Sequence, residues 1–216
     1  MGIMGVGGVE IATCKVTATA GTALGSESAT CSGIQVENGS LSIANAVVIA
    51  NGGTTQGDSY GINVASNALF ITNSNVIANG GMTTNSSYGI KTSSATRTIN
   101  KSIVIATGNT SALSLSSTPP ITGGLTASAS TEKSGNGAAA VTLDESIYSD
   151  ANTYKYVRIT PQARWGTSGS DFTGTSLGLQ YGTLAEAISY VNWLSGGEAY
   201  IQLLTNIDKT TTAHGI

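Results

Sequence analysis

Short runs of alternating apolar and polar residues fill the first 130 positions of the chain, and small polar turns separate them. One unit shows the pattern well, with apolar side chains at Ile62 and Val64 and again at Leu69 and Ile71. Alternation over a few residues, bounded by Gly, Asn and Ser, predicts β-strands rather than helices. A third run in each unit, such as the VIA that begins at Val76, predicts another short strand.

The same unit recurs along the chain at a nearly constant spacing. Aligning on Gly33, Gly61 and Gly89 gives three units that are each offset by 28 residues. An earlier unit begins at Gly2 and is irregular, because its connecting stretch is a few residues longer; in it Ile11 matches Ile43. A weaker unit follows the three, so about five units cover residues 1–130. Units with three strands and no crossover helix bury their apolar side by stacking on one another. We therefore predict an all-β fold, a right-handed parallel β-helix of about five coils with about 28 residues per coil.

Two other all-β folds fit this pattern less well. A β-sandwich does not require constant spacing of three strands per unit, and a propeller blade has about 40 residues. In a β-helix, Gly61 and Gly89 recur because every coil needs a tight corner at the same point, where glycine tolerates a positive φ. We expect positive φ values at these glycines.

Other residues that recur at the coil spacing should form columns about 4.8 Å apart. Tyr60 and Tyr88 are predicted to stack on each other. Asn51 and Asn79 are predicted to lie at an inward corner, where their amides can hydrogen-bond along the stack.

The third strand of each coil is apolar at both alternating positions. Its outward row would contain Ile49, Ile77 and Ile105. A stacked apolar row of this kind is unfavourable in water. We expect a later part of the chain, or a neighbouring molecule, to cover it.

The repeat is lost after residue 130. The segments AAAVTL and YKYVRI predict two strands that cover the outward row or cap the last coil, so a first module spans residues 1–161. Residues 162–216 are predicted to hold a polar linker, a helix that begins with a capping box of Thr183 and Glu186, and a strand. This helix and strand would start a second β-helix module that is cut short, or would cap the first module.

Composition and charge argue against two classes of function, nucleic-acid binding and membrane insertion. Only 10% of residues are charged, and a net charge of -3 with nine Lys and Arg excludes a nucleic-acid footprint, which needs clustered basic residues. No apolar run approaches the roughly 18 residues of a membrane span, so no membrane insertion is predicted. Cys14 and Cys31 could form a disulfide or each serve as a small apolar core residue.

The chain lacks the residue groups that catalysis requires. Polysaccharide lyases and hydrolases need clustered carboxylates, yet residues 59–131 contain none. His214 is the single histidine, so neither a triad nor a histidine-based metal site is predicted. Arg97 and Lys101 could flank a sugar acid, or could keep the sheet surface soluble. We predict no catalytic residues, no metal and no cofactor.

Three stretches carry a resemblance to a known group. The YGI…ITNSNVIANGG…SYGI coils, the segment YKYVRITP and the segment GTLAEAI…GGEAYIQLLTNI resemble repeat-bearing surface proteins of anaerobic Gram-positive bacteria. These proteins are described as carbohydrate-binding-domain or pectate-lyase-like β-helix proteins. The resemblance covers most of the chain. It implies a secreted, multi-module, cell-surface protein that acts as an adhesin or glycan binder, and it brings no defined catalytic residues.

The predicted function is therefore a non-catalytic, secreted or cell-surface β-helix module for adhesion or glycan binding. The candidate ligand residues are aromatic faces and nearby amides: Tyr60, Tyr88, Asn51, Asn79 and Asn85. The same residues could instead only hold the coils in register. Two alternatives are a polysaccharide lyase or hydrolase whose catalytic module lies elsewhere and a structural spacer. The partner would be a polysaccharide or a host or cell-surface glycan, and open coil edges also predict edge-mediated self-association.

Overall fold

A computed structural model shows the chain as a parallel β-solenoid of about four turns, followed by a short helix and strands. Strands account for 52% and helices for 7% of the structure, which confirms the predicted all-β coil. The structure describes residues 2–25, 29–93, 96–115, 121–122, 124–149, 153–167, 179–194 and 198–205.

The first sheet contains the opening strand of each coil. Its parallel strands stack in the order β1 (Ile3–Gly5), β4 (Cys31–Val36), β7 (Ser59–Val64), β10 (Ser87–Thr92) and β13 (Ser111–Leu115). The register aligns Ile34 with Ile62 and Ile62 with Ile90, and these side chains are at most 1% exposed. The predicted coil period of 28 residues is therefore confirmed as a physical stack.

The second sheet contains the next strand of each coil. Its parallel strands are β2 (Val9–Ala12), β5 (Leu41–Ala44), β8 (Leu69–Thr72), β11 (Arg97–Asn100) and β14 (Ile121–Thr122). The earlier, irregular unit joins in the predicted register, with Ile11 opposite Ile43. Leu41, Ile43, Leu69 and Ile71 point inward and are at most 1% exposed. Each such burial contributes about 1.5–3 kcal/mol, so these inward columns hold the solenoid together.

The third sheet begins with a parallel strand from each of four coils and then changes direction. The parallel strands are β3 (Lys15–Thr19), β6 (Val47–Asn51), β9 (Asn75–Asn79) and β12 (Ile103–Thr107). The antiparallel strands beyond them lie in the order β17 (Tyr156–Thr160), β15 (Thr126–Ser130) and β16 (Ala139–Val141). The solenoid therefore has about four turns instead of the predicted five, because the fifth unit pairs with its neighbour only in the first two sheets and β17 takes the place next to β12.

The segments after the repeat close the end of the solenoid at its last coil, next to β12. The predicted strands AAAVTL and YKYVRI correspond to β16 and β17. A short helix between them, α1 (Glu145–Tyr148), places Ile147 and Tyr148 in the main apolar core with no exposed surface. These segments cap the last coil instead of covering the outward row of the third sheet.

The recurring glycines do not have the backbone that the sequence predicted. Gly33, Gly61 and Gly89 lie inside strands of the first sheet, and none of them is among the positive-φ residues. They recur because two backbones approach closely. A Cβ at Gly61 would lie 2.6 Å from the backbone nitrogen of Asn79 and 2.6 Å from the Gly89 carbonyl oxygen. Glycine is required there because the neighbouring backbone leaves no space for a side chain.

A different column forms the left-handed corner. The residues between the second and third sheets have positive φ in each of four coils: Thr13 (51°), Asn45 (51°), Asn73 (46°) and Lys101 (46°). Asparagine adopts this conformation more readily than most residues. Asn73 Nδ2 also donates a hydrogen bond to Asn45 Oδ1 at 2.7 Å, which links two corners.

The last part of the described chain forms a separate antiparallel unit, here called the C-terminal unit. Its elements are β18 (Ala163–Gly166), β19 (Gln180–Gly182), α2 (Leu184–Trp193) and β20 (Tyr200–Leu203). The predicted helix and its capping box of Thr183 and Glu186 are confirmed. The predicted linker, residues 162–182, is wrong at Ala163–Gly166 and at Gln180–Gly182, because these stretches are paired strands. Its middle, residues 168–178, lies outside the described residues. Whether this unit starts a second module stays a prediction.

The C-terminal unit packs against the corner column and the upper edge of the third sheet. Lys101 Nζ lies 2.6 Å from Glu186 Oε1, and Asn73 Oδ1 accepts a hydrogen bond from the Tyr181 backbone N–H at 3.0 Å. Tyr181 also belongs to a small apolar cluster that covers Ile105. Part of the outward row is thus covered by a later segment of the chain, as predicted.

The rest of the outward row is half-buried. The exposed fractions of Ile49 and Ile77 lie between those of core residues and those of a fully exposed row.

A further prediction concerns the two cysteines. Cys14 and Cys31 are both unpaired, with Cys31 buried and Cys14 packed on the edge of the core. Of the two alternatives for the cysteines, the structure has the small apolar side chain.

Candidate functional site

The two predicted tyrosines form a stacked but buried pair. The ring centroids of Tyr60 and Tyr88 are 5.9 Å apart and the ring planes differ by 16°, so the predicted stacking is confirmed. Lys91 Nζ lies 5.4 Å from the Tyr60 ring centre and 5.0 Å from that of Tyr88, and the Tyr60 hydroxyl donates to Asp58 Oδ2 at 2.7 Å. Exposure is only 4% for Tyr60 and 7% for Tyr88. Neither ring therefore offers an open face to a sugar, and the pair holds adjacent coils in register.

The two predicted asparagines form a hydrogen bond with each other through their side-chain amides. Asn79 Nδ2 donates to Asn51 Oδ1 at 2.9 Å, while Asn51 Nδ2 donates to Thr19 Oγ1 at 3.2 Å. The Thr107 hydroxyl completes the ladder by donating to Asn79 Oδ1 at 2.9 Å. The amide ladder is thus confirmed, but its predicted inward position is wrong. Strand alternation with fully buried Ala50 puts the ladder on the outer face of the third sheet.

Asn85 differs from the other four predicted residues because it is exposed. It lies in the loop between β9 and β10, where its backbone N–H donates to Thr83 Oγ1 at 2.9 Å. Of the predicted set, Asn85 alone keeps a side chain directed to solvent without a hydrogen bond among the described residues. The five candidates therefore do not form one open binding surface.

An exposed aromatic side chain lies elsewhere, on the outer face of the second sheet. Phe70 is 36% exposed, between Ser42 and Thr98 in the neighbouring coils. The outward position next to it in the same strand is Thr72, so a flat aromatic ring is surrounded by small hydroxyl side chains. The sequence contained the signal, because alternation in LFIT sends Leu69 and Ile71 inward and leaves Phe70 outside.

The basic residues considered for a sugar acid have other places. Arg97 occupies the inward position that Leu69 has in the coil below, and it is 2% exposed. Burial lowers the pKa of its guanidinium. Lys101 is bound to Glu186 at the corner. Neither surface role predicted for Arg97 agrees with this placement.

One basic side chain, Lys133, contacts the backbone next to the amide ladder. Lys133 Nζ donates to the Gly80 carbonyl oxygen at 2.8 Å, and burial lowers the pKa of Lys133.

Across the described ranges, no three or more His, Cys, Asp or Glu side chains lie together in a way that could hold a metal ion. None of the helices in the described part of the chain has the length and apolar character needed to cross a lipid bilayer.

Comparison with known proteins gives no family for this chain. No family model matches it, and no match was found among curated proteins or solved structures.

Proposed function

We propose that this chain is a non-catalytic module of a secreted or cell-surface protein, and that it contacts glycans through the outer face of its second sheet. The observation that carries the proposal is the exposed ring of Phe70 among hydroxyl side chains. Sugars present apolar C–H faces that pack on aromatic rings, and hydroxyl groups that accept or donate hydrogen bonds to Ser and Thr. The solenoid supports this surface rigidly because β8, which carries Phe70, is paired on both sides, with β5 and with β11.

The resemblance of the coils to carbohydrate-binding surface proteins supports the same proposal. So does the arrangement of charge, because residues 59–131 supply no carboxylate for acid–base chemistry or Ca²⁺ binding. The partner would be a polysaccharide or a host or cell-surface glycan. An enzyme would need its catalytic carboxylates from another module.

A glycan array and a binding titration with the best-bound polysaccharide test the proposal. Phe70→Ala is expected to weaken binding about tenfold. Full burial of an exposed phenylalanine contributes about 1.5–3 kcal/mol, and the lower end of this range, which corresponds to a tenfold change, applies because the ring is only 36% exposed before binding. Tyr200→Ala is the matched control, since Tyr200 is a similarly exposed aromatic residue (40%) on the C-terminal unit. Equal loss in both variants, or wild-type binding by Phe70→Ala, would contradict a site on the second sheet.

A structural spacer is the second candidate function. It is favoured by the fact that the tyrosine pair and the asparagine ladder are used to join coils. A spacer would bind no sugar on the array even at millimolar concentration. For the enzyme alternative, we expect no turnover of polygalacturonate with or without Ca²⁺, and measurable product would overturn the non-catalytic proposal.

A further inference from the structure

A cleft lies between the strands that cap the solenoid and the residues that follow β20. Its volume is about 340 Å³. The side chains that matter here come from the outer face of the antiparallel strands and from the end of the C-terminal unit: Thr126, Ser128, Ala140, Arg158, Thr160 and Thr205. Among the described residues that line it, the cleft has one cation, four hydroxyl groups and no carboxylate.

Strand pairing explains why Arg158 points into this cleft. It lies opposite Ile105 on one side and Ser128 on the other, so its side chain continues the outward row of the third sheet. Ser128 is in turn opposite Ala140. Leu204 and Thr205 form another wall, held by a hydrogen bond from the Leu204 backbone N–H to the Gln162 carbonyl oxygen at 2.9 Å.

One hydrogen bond orients the guanidinium and leaves most of its donors unused. Arg158 Nε donates to Thr160 Oγ1 at 3.0 Å. Within the described part of the chain, no carboxylate pairs with Arg158 and the two Nη atoms have no hydrogen-bond partner. The hydroxyl groups of Ser128 and Thr205 also make no hydrogen bond there. A half-buried guanidinium without a counter-charge, among unpaired hydroxyls, presents donors that match an oxyanion.

We propose that this cleft is a binding site for an oxyanion, namely a carboxylate, sulfate or phosphate group carried by a small polar ligand. The two Nη atoms of Arg158 bind two oxygens of the anion side by side, and the hydroxyls of Ser128 and Thr205 donate to the remaining oxygens. The site is separate from the Phe70 surface, so it does not depend on the proposed glycan contact.

Nuclear magnetic resonance titration of the full chain tests the site. The probes are sodium sulfate, sodium phosphate and sodium glucuronate, at constant ionic strength set with sodium chloride, with glucose as the uncharged control. We expect saturable shifts for the Arg158 Nε–H signal and for the backbone amides of Ser128 and Thr205 with at least one of the anions, and none with glucose. The anion that saturates at the lowest concentration identifies the group.

Two variants and a control give the test its specificity. Arg158→Gln is expected to weaken binding about tenfold or more, because the charged hydrogen bonds are lost. Lys155→Gln removes one positive charge at an exposed position near the start of the same strand and should bind within about twofold of wild type. Ala140→Glu places a competing carboxylate in the cleft without removing the guanidinium, and it should also weaken anion binding.

Several results would overturn the proposal. They are shifts that grow linearly without saturation for all three anions, equal affinity in wild type and Arg158→Gln, and equal loss in Lys155→Gln. Backbone spectra of the variants outside the cleft show whether each is folded. If Arg158→Gln does not fold, unchanged anion binding in Ala140→Glu would overturn the site by itself.

Discussion

The stacked coils and the C-terminal unit bury their apolar residues in different ways. In the coils, inward side chains such as Ile34, Ile62 and Leu41 have no exposed surface. In the C-terminal unit, every residue of β20 is exposed and α2 fully buries one side chain, Ala187. Each inner coil gains a partner above and below from its own repeat, whereas the smaller unit has one small apolar cluster of its own, formed by Ala163, Trp165 and Ala187, and also contacts the solenoid. Repetition thus supplies a large core in the first region, and a small core together with docking stabilises the second.

The largest effect that separates the two regions should come from truncating a core side chain. Ile62→Ala is expected to lower the free energy of unfolding by about 2–5 kcal/mol, because it leaves a cavity in a packed column. Leu203→Ala, at a side chain that is 53% exposed, should change it by about 0.5 kcal/mol or less. Urea denaturation followed by circular dichroism measures both. Similar losses in the free energy of unfolding for the two variants would contradict the difference in burial between the coils and the C-terminal unit.

A smaller effect is expected where coil backbones meet. Gly61→Ala should lower the free energy of unfolding by about 1–3 kcal/mol, because its Cβ would lie within 2.6 Å of backbone atoms that cannot move independently. Gly21→Ala is the control, since no atom lies within 4 Å of the added Cβ, and it should be neutral or stabilising by up to about 1 kcal/mol. The same urea experiment applies, and a neutral Gly61→Ala would argue against close backbone approach as the reason for this column.

The smallest expected effect concerns the docking of the C-terminal unit and its dependence on pH. Burial alone would raise the pKa of Glu186, but hydrogen bonds from Lys101 and Thr183 outweigh it and lower the pKa below its ordinary value of 4.5. Such a carboxylate stabilises the docked state above pH 4.5, and this contribution is lost as the pH falls through its folded-state value. Both side chains are more than one-third exposed, so the change is modest.

Hydrogen exchange of the α2 amides, expressed as protection factors, measures this loss. We expect protection to fall by at most about fivefold on acidification. Glu186→Gln keeps the capping box but carries no charge, so its protection should not respond to pH in this range. A pH response of equal size in Glu186→Gln would assign the effect to another group.

The coil period and the strand registers could be predicted from sequence because they depend on spacing and on the apolar pattern. Ile62 opposite Ile90 follows directly from counting 28 residues, whereas Ile11 opposite Ile43 follows from matching the apolar pattern across a longer connecting stretch. The role of a recurring residue does not follow from counting. Gly61 recurs because of a neighbouring backbone and not because of its own φ, and a single sequence gives both cases the same pattern.

The candidate site was harder to predict because exposure depends on contacts between distant segments. The recurrence of Tyr60 and Tyr88 predicted their stacking, but their burial depends on tertiary packing that a repeat does not encode. The antiparallel insertion of β17 beside β12 was also hidden, since a strand sequence does not indicate the direction of its partner. Arg158 lies in its cleft because β17, the strand that carries it, is inserted between β12 and β15.

The amide ladder has a consequence for how the length of this molecule can change. Asn51 and Asn79 present equivalent atoms to the coil above and the coil below, and threonine hydroxyls terminate the series at Thr19 and Thr107. Excision or duplication of a 28-residue segment within the stack would therefore rejoin matching donors and acceptors, and would leave both termini of the ladder unchanged. The solenoid could therefore become longer or shorter by whole turns while the threonine hydroxyls at the two ends of the ladder keep their hydrogen bonds.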